Sequence, residues 1–426
     1  MFSINSFYEI IIKQLVLKVN DQTVCLAFKD FLNTKPSDIV VISEDDKYAP
    51  LWYLRYSEKY RPIIFFNDQE PFYTEIFDNM FQLEYTDTYN VADSLNYHFP
   101  GYFGLTFNSF LHDVDYFRHH FLVYATSEKS DEVNHNMKSR NFYNWYYFSH
   151  GFIALDWFRN LKYLPANYGF SKVFICFNNL VSGNRNYRLN LVATILEQKL
   201  DKFGYISINK DNLKDKVKNE IFNSNNLLSS RSKKIIFKHL YHNDNNFEID
   251  KQTVTGELSA NDNLEVLSLG LIHVVTETIF YENKLHLTEK IFKPIVARRP
   301  FILVGAPGNL SYLKSYGFKT FDKWIDESYD NEPDPDKRIT LIVNQLEKFC
   351  KMSDSNLKQF QEEIMDVVEH NFNHFFGNFR SIIVDELVDN YRRILIKYNA
   401  GKDSSHDYYI NFSNVDFDSI KTILKS

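Results

Sequence analysis

IHVVTETIFYENKLHLTEKIFKPIVARRPFILVGAPG, residues 272–308, is the stretch on which the reading of this chain turns. IHVVTET is a short, β-branched apolar run ending in an acid, Glu277, and it predicts a buried strand. LTEKIFKPIVAR opens with Thr288, a good N-cap residue, and sets Ile291, Ile295 and Val296 at helical spacing. RPFILVG is a second buried-strand run, closed by Gly305. Strand, loop, helix and strand make one α/β unit. A helix placed this way turns its N-terminal N–H groups toward the crevice beyond the strand ends, where phosphate is favoured. Lys290, in the first turn, adds a full positive charge there, and Lys293 lies one turn on. Glu289 adds an acceptor for sugar hydroxyls, and Glu277 stands at the strand end. The ligand expected at such a site is a nucleoside diphosphate.

Outward from this unit the same pattern recurs. On its N-terminal side KVFICFNN (172–179) reads as a strand, YRLNLVATILEQKL (187–200) as a helix and GYISIN (204–209) as a strand. A polar stretch rich in Asn, Lys and Asp, residues 210–263, then reads as an insertion with short helices or a flap. On its C-terminal side come NLSYLKSYGF (309–318), the turn-forming NEPDPDK (331–337) and a helical region over 338–398. Further upstream, DIVVISE (38–44), RPIIFFND (61–68) and HHFLVYATSE (119–128) read as strands. SHGFIALDWFRNL (149–161) reads as a helix with the apolar stripe Ile153, Leu155, Trp157 and Phe158. Pro165 marks a hinge over 162–167. The expected domains are therefore an α/β domain over 1–161, a Rossmann-like nucleotide-binding domain over 168–337, C-terminal helices over 338–398 and a tail over 399–426. Strands alternating with helices predict parallel sheets.

Composition sets outer bounds. The chain has 426 residues, 44% of them hydrophobic and 24% charged, which supports real cores in two domains. The net charge of −7 argues against a protein held on nucleic acid by bulk charge. Aromatic residues reach 17%, a surplus that reads first as coding bias. Three lone cysteines, Cys25, Cys176 and Cys350, lack metal spacing and fit a reducing, cytoplasmic compartment. No run is apolar enough to span a membrane, and the first twenty or so residues read as an amphipathic helix rather than a leader.

Other candidates stand at strand ends. Arg185 and Arg188 follow the 172–179 strand and open the next helix, a place where an arginine is favourable only beside an anion. RPIIFFNDQEPFY ends an apolar strand in Asp68 and Glu70, acids that read either as lining a ligand crevice or as a turn facing water. His150 reads first as a packed histidine. Asp113-Val-Asp115 and Asp334-Pro-Asp336 match Asp-X-Asp, but no strand leads into either and both read as loop acids. No metal and no cofactor beyond the donor substrate is expected.

These residues carry a family resemblance. In α1,3-fucosyltransferases a strand ends in Phe-Glu-Asn. A short loop follows, then Tyr-Val-Thr-Glu-Lys opens a helix, and a further strand closes in Gly-Ser/Ala-Pro. Here the corresponding text is VTET at 275–278, LTEK at 287–290 and GAPG at 305–308, in the same order and at nearly the same spacing. The resemblance implies a GT-B architecture, two Rossmann-like domains facing each other across a cleft. It implies a glycosyltransferase, inverting and metal-independent, using a nucleotide-sugar donor. Lys290 is similar to the family's diphosphate lysine and Glu289 to its ribose acid. Arg188 resembles the family's phosphate arginine, with Arg185 a close competitor, although the family's Ser-Asn-Pro before that arginine is missing. Glu70, then Asp68, resembles its general base. The acceptor, a glycan or modified DNA, stays open, and so does a non-catalytic binding protein of the same fold.

Overall fold

The computed structural model describes residues 63–68, 71–72, 121–139, 142–208, 213–223, 226–241, 264–402, 409, 411–413 and 415–426. Over these the chain is α/β, with two all-parallel sheets. It divides into two compact units, Met1–Phe152 with Ser381–Ser426, and Ile153–Arg380. The candidate strand at 38–44, the N-terminal segment, Cys25, Glu70, Asp113 and Asp115 lie outside the described residues.

The first unit holds a three-stranded sheet in the order β1 (Ile63–Asp68), β2 (Phe121–Thr126), β3 (Phe142–Tyr146). Helix α1 (Asp131–Ser139) connects β2 to β3, and α2 (Ser149–Trp157) follows β3. Nothing in FYNWY alternates, so β3 carries no period-2 signal; it is a strand because its neighbours supply the ladder. Trp145 is buried, packs at 4.6 Å on Tyr391 with the rings tilted by 41°, and donates its indole N–H to Leu387 O at 2.9 Å.

The second unit holds β4 (Lys172–Asn178), β5 (Gly204–Ile208), β6 (Gly270–Thr276) and β7 (Phe301–Val304) in the order β5-β4-β6-β7. Every residue of β6 is buried, as expected of a strand covered on both faces. Gly270 allows the close approach of β4: a Cβ there would lie 2.6 Å from the Ile175 side chain. The chain leaves β4 for β5 on one side and returns for β6 on the other. The C-terminal ends of β4 and β6 therefore form a topological switch point, where open parallel sheets place their ligand crevice.

Between the strands run α3 (Tyr187–Glu197), α4 (Leu213–Phe222), α5 (Ser230–Ile236), continued by a π-turn, and α6 (Leu264–Leu267). Within the polar 210–263 stretch, α5 and its π-turn pack on α3, and α4 packs on that π-turn. After β6 come α7 (Phe292–Val296) and, past β7, α8 (Asn309–Ser315). The helical C-terminal region resolves into α9 (Pro335–Cys350), α10 (Asp354–Glu363), α11 (Met365–Phe376), α12 (Phe379–Asn399) and α13 (Phe417–Lys425). Much of the aromatic surplus is core: Phe292 packs at 5.2 Å on both Phe375 and Phe379, and at 5.7 Å on Phe318.

One element corrects the sequence reading. LTEKIFKPIVAR is a short 3-10 turn, Glu289–Ile291, followed by five α-helical residues, and not a regular helix from Thr288. Pro294 has no N–H to return to the Lys290 carbonyl, so the α-helical ladder cannot run back regularly through the first turn. Arg298, at φ 52°, then ends the helix in the left-handed region. So short a helix carries little macrodipole, and the positive charge at this turn comes from Lys290 rather than from the helix.

Candidate functional site

The switch point of the second unit is built from two loops, Asn179–Asn186 after β4 and Glu277–Leu287 after β6. Glu277 continues β6 by donating its N–H to Val304 O at 2.9 Å. Its carboxylate is fully buried and accepts from Thr288 Oγ1 at 2.6 Å and Thr288 N at 3.3 Å. The Thr288 hydroxyl in turn accepts from Lys290 Nζ at 3.0 Å, and Lys290 Nζ also pairs with Glu289 Oε1 at 3.1 Å. Thr288 thus links a buried acid to a partly exposed ammonium. Its role as N-cap is visible in sequence, but its position between two charges is not. Burial raises the Glu277 pKa, while Lys290 and the Thr288 hydrogen bonds pull it down. Two carboxylates around one ammonium make a poor phosphate site; a proton on Glu277 leaves Lys290 balanced by Glu289 alone. Lys293 is half-buried one turn on.

The two arginines of the β4 loop separate sharply. Arg188 is buried, and its guanidinium donates to Leu180 O at 2.8 Å, Thr276 O at 3.1 Å, Glu277 O at 2.9 Å and the Tyr187 hydroxyl at 3.3 Å. It ties the ends of β4 and β6 together and so braces the place where the phosphate arginine is expected. Arg185 lies half-buried in the 3-10 turn Gly183–Arg185 at the start of the helix and is the better placed of the two to meet a ligand. Gly183, at φ 61°, sets this turn, and the buried Glu220 holds it by accepting from Gly183 N at 2.9 Å and Asn186 Nδ2 at 2.8 Å.

The loops are also stapled to each other. Tyr187 donates its hydroxyl to Glu277 O and stacks on Phe280 at 4.2 Å. Tyr281 donates to Asn186 Oδ1 at 2.5 Å, and Asn184 Nδ2 to Glu282 Oε1 at 3.3 Å. Arg338, buried in the first turn of α9, lies over Phe280 at 4.2 Å and donates to its carbonyl at 2.7 Å. Burial lowers its pKa to about 10, against the pull of Asp330. None of Glu220, Tyr281 and Arg338 belongs to a motif, and only the fold brings them here. Asn283, in the same loop as Tyr281, is exposed.

The Asp-Pro-Asp pair is structural. Asp334 caps α9 through Lys337 N at 2.9 Å. Asp336 accepts from Asn190 Nδ2 at 3.2 Å and Ser232 Oγ at 2.6 Å.

In the first unit Asp68 is the last residue of β1, paired in register with Thr126 at the end of β2. Further along, Phe72 N donates to the buried Glu128 at 2.7 Å, and Ser130 Oγ donates to the same carboxylate at 2.5 Å. Glu128 sits in a stretch legible as a strand, but its function as an anchor is not. His150 is buried at the start of α2.

Among the described residues no cluster of three metal-ligating side chains occurs, and no helix is long and apolar enough to cross a membrane. Cys176 and Cys350 are buried free thiols. Comparisons with protein-family models, with curated proteins and with solved structures return no match.

Proposed function

We propose that this chain is a glycosyltransferase that moves a sugar from a nucleoside-diphosphate sugar to an acceptor hydroxyl, and that its two units are those of a GT-B enzyme. The observation that carries the reading is the Glu277–Thr288–Lys290–Glu289 cluster at the strand switch point of the second unit. Lys290, with Arg185 and Lys293, would neutralise the departing diphosphate, Glu289 would take the ribose hydroxyls, and Arg188 would brace the loops that hold them. In the reaction the acceptor oxygen forms a bond to the anomeric carbon as the bond to the diphosphate oxygen breaks. The acceptor proton passes to a carboxylate, Glu70 or Asp68 in this reading, and the nucleoside diphosphate leaves with the electron pair. Inversion, independence of metal and a cytoplasmic setting belong to the same proposal.

Thermal unfolding with GDP, UDP, ADP or CDP tests it. At a hundredfold excess over Kd one nucleotide should add about 2.7 kcal/mol and raise Tm by roughly 5–10 °C. Lys290→Ala should abolish that shift while keeping its own Tm. No shift with any of the four, or an undiminished shift in the variant, removes the donor site from this cluster.

A further inference from the structure

The first unit carries a groove of about 910 Å³ lined by α1, β3 and the second half of α12. Among the described residues four cations line it, Lys138, Arg393, Lys397 and Lys402, and no carboxylate does. This runs against the chain as a whole, in which acids outnumber bases by 55 to 48. The nearest acids of α12 are engaged elsewhere: Glu386 with Lys129 at 2.9 Å, Asp389 with Lys421 at 2.7 Å and Asp385 with Lys425 at 2.7 Å. Among the described residues none of the four groove cations has a carboxylate within ion-pair distance.

The walls are aromatic. Tyr143, half-buried on β3, meets Tyr398 edge-on at 5.9 Å, with Lys397 at 5.8 Å from its ring. Lys402 lies 3.2 Å from the Tyr398 ring centre. Beside Tyr143 the buried Asn144 Oδ1 has no hydrogen-bond partner, while its Nδ2 donates to Asn134 Oδ1 at 3.2 Å. The volume is near the upper end for small-ligand sites, so a single phosphate would leave most of it empty.

We propose that this groove binds a short run of single-stranded nucleic acid, with phosphates on Lys138, Arg393 and Lys397 and a base against Tyr143. A flat ring flanked by cations that no described carboxylate pairs is the platform on which such strands stack. An acidic polysaccharide is less well served, because its many hydroxyl donors find no carboxylate to accept them. The chain's net negative charge gives no long-range help, so binding depends on local contacts and falls steeply with salt. The proposal stands on the first unit alone and is independent of the donor site.

Fluorescence anisotropy of labelled single strands of about 12 nucleotides, titrated with the whole protein, tests it. Neutralising three or four phosphates predicts a slope of log K against log salt of about −2 to −3, and so a 15- to 60-fold loss between ~50 and ~200 mM salt. Arg393→Glu with Lys397→Glu should weaken binding at least tenfold and flatten the slope. Tyr143→Leu should weaken it about tenfold and leave the slope unchanged. The exposed charge pair decides the matter alone if Tyr143→Leu lowers the melting temperature. No binding at low salt, or binding indifferent to the charge reversals, overturns the proposal. Equal competition by dextran sulfate with Tyr143→Leu silent does so too, in favour of an acidic polysaccharide.

Discussion

At the residue scale the chain spends charge and polarity inside its core in ways that are stable only when satisfied. His273, in the middle of β6, is buried and bonds Leu267 O at 2.7 Å through Nε2. Burial holds its folded-state pKa at about 3, against an ordinary 6.5. Between those values the unfolded chain takes up a proton that the folded chain refuses, so stability rises with pH across that window. The contribution is fully present above pH 6.5 and is lost on acidification toward pH 3, at about 1.4 kcal/mol per pH unit. Urea unfolding at about pH 7 and pH 5 should show the native chain losing roughly 2 kcal/mol more than His273→Gln on acidification. Equal losses would place a titrating group elsewhere in command.

At the scale of elements, the switch point is held by side chains that reach from one loop to the carbonyls of another. Arg188 is the clearest: one planar fork meets three carbonyls, from Leu180, Thr276 and Glu277. Arg188→Met should cost about 3 kcal/mol by leaving those acceptors unmet, and Lys should rescue little because an ammonium cannot span them. Arg185→Ala should change stability by about 0.5 kcal/mol or less. On the proposed reading it should weaken nucleotide binding about tenfold, a loss of about 1.4 kcal/mol in calorimetry. If instead Arg188→Met keeps its Tm and loses only nucleotide, Arg188 is the ligand arginine after all and its carbonyl contacts are dispensable.

For the whole molecule the division of the chain departs from sequence order. Ser381–Ser426 belongs with the N-terminal residues, not with the stretch that precedes it. Within that unit Trp145 and Tyr146 of β3 lean on Leu387, Asn390 and Tyr391 of α12. Ending the chain after Arg380 should therefore destabilise the distant 121–152 region. Hydrogen exchange should quicken in β2 and β3 while β4, β6 and β7 keep their protection, and Trp145 fluorescence should shift to the red. Loss of protection confined to the second unit would contradict this.

Local pattern determined a good deal. The apolar runs read as strands at 172–179, 204–209, 272–278 and 299–305 fall on β4, β5, β6 and β7; β6 and β7 are buried throughout, as strands covered on both faces must be, while β5 alternates at the sheet edge. The Thr288-Glu289-Lys290 turn is likewise where its cap residue puts it. Local pattern failed wherever the stabilising partner is far along the chain. FYNWY has no periodicity and becomes β3 through its ladder to β2 and its tryptophan contact with α12, over two hundred positions away. As text Arg188 stands only slightly ahead of Arg185 as the phosphate arginine, and only the approach of β6 to β4 buries Arg188 and leaves Arg185 half-buried. Hydrophobic periodicity is a short-range property of the chain. Which charge is buried, and against which carbonyl, is settled only when distant backbone closes over it.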